Sequence, residues 1–87
     1  MKISEDFVLR QVAGTWVVLP LKTDTVDFNG MVRLNDSGAM LWKILEQGAS
    51  REELVRALTE RYNVPREQAA QDLDEFIGIL NQVGCLV

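Results

Sequence analysis

The sequence predicts an α+β fold, winged helix-turn-helix-like, in which a three-stranded antiparallel sheet is followed by three helices. Three observations carry that expectation. β-branched, long apolar and aromatic residues gather in short runs before Asn35, apolar residues recur every three or four positions after it, and turn or cap residues stand at each change of pattern. With 87 residues the chain is expected to form a single small domain over 1–87, since a second core would not fit.

Residues 7–12 and 15–21 are rich in Val, Leu and aromatic side chains and flank Ala13-Gly14, which reads as a hairpin. Gly14 supplies the left-handed backbone of the turn, either at its second position or as a bulge residue. Pro20 has no N–H to give a ladder, so it is placed near its strand's end or facing away from a partner. Residues 22–29 are polar and are expected to loop back for a third strand over Met31, Val32, Arg33 and Leu34. Asn29-Gly30 could instead turn a local hairpin between 26–28 and 31–33, but three residues per arm would make a marginal one, so the longer meander is preferred.

Asn35, Asp36 and Ser37 are all N-cap residue types, so the third strand runs straight into a first helix over 37–47. Leu41, Trp42, Ile44 and Leu45 give that helix a wide apolar arc, and Gly48 stands at its end. Ser50 and Glu53 form a capping box for a second helix that presents Leu54, Val55, Leu58 and Tyr62 on one face. Pro65 suits the first turn of a third helix, Glu67 favours its dipole, and Ala69, Leu73, Phe76, Leu80 and Val83 form its buried stripe up to Gly84.

Hydrophobic residues make up 47% and charged residues 25%, the balance of a folded globular chain. The longest apolar runs are too short to span a bilayer, and the first ten residues lack a signal-peptide core, so a cytoplasmic location is expected. Net charge is −4, which opposes attraction to nucleic acid and to anionic membrane but not to a basic or mixed-charge peptide. With no histidine and one cysteine, metal clusters, a disulfide and a histidine-activated nucleophile are excluded. Cys85, between Gly84 and Leu86, reads as a small core residue. No cofactor is expected.

Asp72, Asp74 and Glu75 are spread by helical spacing over a solvated face, so no catalytic carboxylate pair is expected and the chain does not read as an enzyme. The alternative is a winged-helix DNA-binding regulator. Its recognition helix would need cations, yet the third helix sets Arg66 against Glu67, Asp72, Asp74 and Glu75. The second helix interleaves Arg51, Arg56 and Arg61 with Glu52, Glu53 and Glu60, as a solvated face does. A peptide site is the other possibility. Met31, Val32, Arg33 and Leu34 carry one charge and no proline, so the strand could accept a peptide at its open edge, or its shortness could be the protection.

A resemblance decides between them. Leu34-Asn35, Gly38-Ala39, Leu41-Trp42, Leu45, Gly48, Glu53-Leu54, Tyr62-Asn63-Val64, Asp72, Phe76 and Val83-Gly84-Cys85-Leu86 follow one another as in the PqqD-like family, the recognition elements of ribosomally made, modified peptides. The resemblance spans nearly the whole chain and implies the same fold. It further implies that a precursor's leader segment docks as an added strand on the third strand and is presented to a modifying enzyme, such as a radical S-adenosylmethionine protein. Carried onto this sequence, the strand wall is Gly30, Met31, Val32, Arg33 and Leu34. Ala70, Asp74 and Ile77 are the expected helix wall, and Arg33 is a candidate partner for an acidic leader residue. No nucleic acid or membrane partner and a monomer or weak dimer are expected, with the product left open.

Overall fold

The computed structural model describes residues 1–21 and 32–87. Strands β1 (Phe7–Val12), β2 (Thr15–Pro20) and β3 (Val32–Leu34) form an antiparallel sheet in the order β1-β2-β3. Helices α1 (Asp36–Glu46), α2 (Arg51–Tyr62) and α3 (Arg66–Val83) follow. The expected order of elements therefore holds. The loop over 22–29 and its Asn29-Gly30 alternative lie outside the described residues, as do Gly30 and Met31.

The β1–β2 hairpin closes through two residues, Ala13 at φ 51° and Gly14 at φ 81°. Positive φ at both turn positions matches the right-handed twist of the strands it joins, and Gly14 meets that demand without strain. Of the three candidate caps Asn35 is the one used, and α1 starts at Asp36, one residue ahead of the expected 37: the Asn35 Oδ1 accepts the Gly38 N–H at 2.9 Å. In α2 the capping box forms as expected, Ser50 Oγ accepting from Glu53 N and Glu53 Oε1 from Ser50 N. Pro65 stands at the N-cap of α3, just before the first helical turn, and Gly84 at φ 85° closes that helix.

Backbone direction along β3 follows from Pro20. The Leu21 N–H donates to the Asp6 carbonyl at 2.8 Å, one pair beyond Phe7↔Pro20. Antiparallel pairs alternate between bonded and non-bonded, so Phe7↔Pro20 is non-bonded, as a residue without an N–H requires. Counting along the register, Leu19 and Val17 bond to β1, while Val18 and Trp16 turn toward β3 and meet Val32 and Leu34. Arg33, opposite Val17, falls in the non-bonded pair. Its N–H and C=O point out of the sheet.

Side chains alternate with the same parity. Phe7, Leu9, Val18, Val32 and Leu34 face the helices, where Trp42, Leu45, Leu54, Val55, Leu73, Leu80 and Cys85 complete the core. Ile3 bridges to Leu86 and its N–H donates to the Leu45 carbonyl, so the N-terminal residues tie the end of α1 to the end of the chain. Among the described residues no helix is long and apolar enough to cross a membrane.

Trp42 is fully buried, with no protein acceptor for its Nε1–H among the described residues. Trp42→Ala is expected to cost about 3–5 kcal/mol through lost contacts and a cavity. Trp42→Phe should cost less, because it removes the unmatched donor together with the smaller volume change. Urea unfolding of the two variants checks the order. An alanine variant as stable as wild type would place Trp42 outside the core.

Candidate functional site

The β3 edge opens onto a groove of about 710 Å³. Arg33 and Leu34 form its strand wall, and Asp72, Glu75, Phe76 and Ile79 of α3 form the wall opposite. The buried Leu41, Leu58 and Ala69 line its bottom, while Tyr62 and Val64 contribute from the end of α2.

Local sequence explains why three elements meet here. Asn35 ends β3 and starts α1, accepting from Ser37 Oγ and Gly38 N, both at 2.9 Å. A Cβ on Gly38 would lie 3.3 Å from Leu34 Cβ and 3.4 Å from Phe76 Cε1. The tight approaches are to Leu34 and to the Asn35 Oδ1, also 3.3 Å away, so glycine lets the first turn of α1 sit close against the end of β3 and its cap, with the Phe76 ring at ordinary contact distance. Tyr62 and Ile79 remain 40% and 47% exposed, enough apolar surface for a ligand to cover.

Charge divides α3 into two sides. On the side toward α2, Arg51 donates to both Asp74 carboxylate oxygens at 3.0 and 2.9 Å, and Arg66 bonds Glu52. Hydrogen bonding to Arg51 holds the Asp74 carboxyl below its ordinary pKa, and Arg66 does the same for Glu52. On the groove side, Asp72 accepts from Gln68 Nε2 at 2.9 Å. Asp36, Asp72 and Glu75 have no cationic partner among the described residues. Burial raises the Cys85 thiol to about 11, so it is protonated at neutral pH and inert as a nucleophile. Among the described residues no three metal-ligating side chains converge.

The comparisons with known proteins bear on this groove. The family "Coenzyme PQQ synthesis protein D (PqqD)" matches residues 15–86. The chain belongs to the PqqD family. A solved structure, "TbiB1 in Complex with the TbiA(beta) Leader Peptide", is 32% identical, with a TM-score of 0.78 over 99% of this chain and 94% of that one. A second, "Lasso peptide synthetase B1 complexed with the leader peptide", shares the fold at 23% identity, with a TM-score of 0.75 over 97% and 93%. No curated protein matches the chain.

Against this family frame, the structure sorts the residues expected to form the site. Arg33 and Leu34 line the groove, and Val32 packs beside them against the core. Gly30 and Met31 lie outside the described residues. Ala70 and Ile77 instead pack on the core, and Asp74 is held by Arg51, so none of the three lines the groove. The buried stripe of α3 has two flanks, and the groove takes the one carrying Asp72, Glu75 and Ile79. Periodicity locates a stripe without saying which flank meets the sheet. Tyr62 and Phe76 correct the expected core in the same way. Tyr62 is exposed and Phe76 half-buried, both on the groove.

The Arg51–Asp74 and Arg66–Glu52 pairs give the fold an acid dependence. Their carboxyl pKa values lie below the ordinary 3.8 and 4.5. A depressed carboxyl contributes stability above its unfolded value and loses it as pH falls through the folded one. The urea midpoint is therefore expected to decline as pH drops below about 4.5, with a modest slope because both pairs are exposed. Asp74→Asn combined with Glu52→Gln should flatten that slope. An unchanged slope would place the titrating groups elsewhere.

Proposed function

We propose that this PqqD-family chain is a non-catalytic module that binds the leader segment of a ribosomal precursor peptide. The leader docks as a fourth strand on β3, between Arg33 and Leu34 on one side and Phe76 and Ile79 on the other. The chain then presents the precursor to a modifying enzyme, such as a radical S-adenosylmethionine protein. One observation carries the reading: the Arg33 N–H and C=O face away from β2 and toward a groove of mixed apolar and acidic lining, a pair of backbone groups with no strand partner among the described residues beside a place for side chains. The leader peptide in the TbiB1 structure, 32% identical over almost the full chain, supports the same occupant.

Docking needs little rearrangement in this scheme. An extended peptide exchanges both backbone bonds with Arg33, and its alternate side chains enter the groove. Each bond is worth only about 0.5–1.5 kcal/mol net, so affinity depends equally on covering Phe76, Ile79 and Tyr62. DNA binding is disfavoured because α3 carries Glu67, Asp72, Asp74 and Glu75 against Arg66, an arrangement that repels phosphate.

Proline substitution reads the strand parity directly. Arg33→Pro removes an outward N–H and is expected to leave the domain folded while weakening, by roughly tenfold or more, the binding of a labelled leader peptide that wild type binds. Val32→Pro removes a bond to Val18 and should lower the thermal midpoint. A folded Arg33→Pro protein that bound the leader as wild type does would move the docking edge away from β3.

A further inference from the structure

We infer that the groove selects its peptide by charge, taking an extended segment that alternates an acidic or neutral residue beside Arg33 with basic and apolar residues facing α3. The inference rests on the leader-binding reading and specifies which leaders fit.

The first step is strand parity. Directly paired residues in a sheet share a face, so the peptide residue opposite Arg33 puts its side chain on the outer face, beside the guanidinium. Its two neighbours point the other way, onto the Leu34 side and toward α3. The second step is the charge left on α3. Arginines neutralise Asp74 and, across on α2, Glu52, whereas Asp72 and Glu75 face the groove without a cation, and Asp36 adds a third acid at its end. Among the described lining residues Arg33 is the one cation set against them. A peptide presenting Lys or Arg to that wall would supply the missing partners, in a site where Phe76 and Ile79 partly exclude water and weaken screening.

Spacing gives the pattern a scale. Asp72 and Glu75 precede Phe76 and Ile79 along α3, and the seven-residue step from Asp72 to Ile79 is about 10 Å of helix. That equals about three residues of extended chain. A basic and an apolar side chain two to four residues apart, on the same face of the peptide, would reach the two parts of the wall together.

The test is selection of a displayed library of random 12-residue peptides on the immobilised protein, followed by affinity measurement at two salt concentrations. Selected peptides should show Lys or Arg and apolar residues on one alternate set of positions. Their affinity should fall roughly five- to tenfold on Asp72→Asn with Glu75→Gln, the scale of two partly exposed ion pairs, and the double variant should also lose the salt dependence. Glu60→Gln on α2 makes a like charge change away from the groove and should bind as wild type does. Alternating apolar peptides without basic enrichment, or undiminished binding to the double variant, would overturn the charge selection and leave leader binding standing. Failure to select any peptide, or selected peptides indifferent to Arg33→Pro, would overturn both.

Discussion

The hydrogen bond from the Gly38 N–H to Asn35 Oδ1 sets the geometry on which the rest depends. It ends β3 at Leu34 and starts α1 at Asp36, so strand and helix meet without a loop between them. A longer connection would add conformational freedom where a groove wall must be fixed. With the angle set, Leu41, Trp42 and Leu45 enter the core beneath the sheet, and Leu34 remains at the rim. Gly38 does two tasks there. Its N–H completes the cap, and its missing side chain spares Leu34 and the Asn35 amide a contact at 3.3 Å, while the Phe76 ring brings α3 to the same corner.

Strength and openness are divided between the two sides of α3. Toward the interior lie Ala69, Leu73 and Leu80, each fully buried, and their contacts hold the helix in place. The Arg51–Asp74 and Arg66–Glu52 pairs fasten its flank to α2, adding orientation more than energy because both are exposed. Among the described residues the other flank makes no such ion pairs. The asymmetry leaves the Asp72 and Glu75 carboxylates and the Ile79 side chain exposed along the groove.

Much of this was legible in the residues, and what was not had a physical reason. Strand runs, the Ala13-Gly14 turn, the Ser50–Glu53 box and the buried Trp42 and Cys85 all depend on neighbours close in sequence or on size and polarity alone. The strand half of the groove was readable for the same reason, since β3 and its cap are contiguous. The helix half was not. Ala70, Asp74 and Ile77 lie on a flank of α3 as plausible in periodicity as the one bearing Asp72, Glu75 and Ile79, and the choice is made by where α2 docks. Tyr62 and Phe76 fitted apolar stripes equally well whether they ended in the core or at its open margin. The PqqD-family resemblance implied a strand wall and a helix wall, and of the residues carried over for them Arg33 and Leu34 line the groove while Ala70, Asp74 and Ile77 do not.

Pro20 carries information that its own position did not reveal. A proline near a strand's end is unremarkable in sequence, yet in this sheet it fixes which pairs bond. Its missing N–H would have faced β3, so among the described residues Val18 is the last donor that β2 offers to β3. At the opposite end the Asn35 cap stops the ladder by turning the chain into α1. Between these limits lie Val32 and Leu34, bonded inward, and Arg33, turned outward. Among the described residues of β3, Arg33 turns its backbone groups outward, and the N–H and C=O of one residue are by themselves too few for indiscriminate edge pairing. Beside that residue lies the groove lined by Phe76, Ile79 and the acids Asp72 and Glu75, so on the proposed reading a docked strand would gain from those side chains what the backbone of Arg33 alone does not supply.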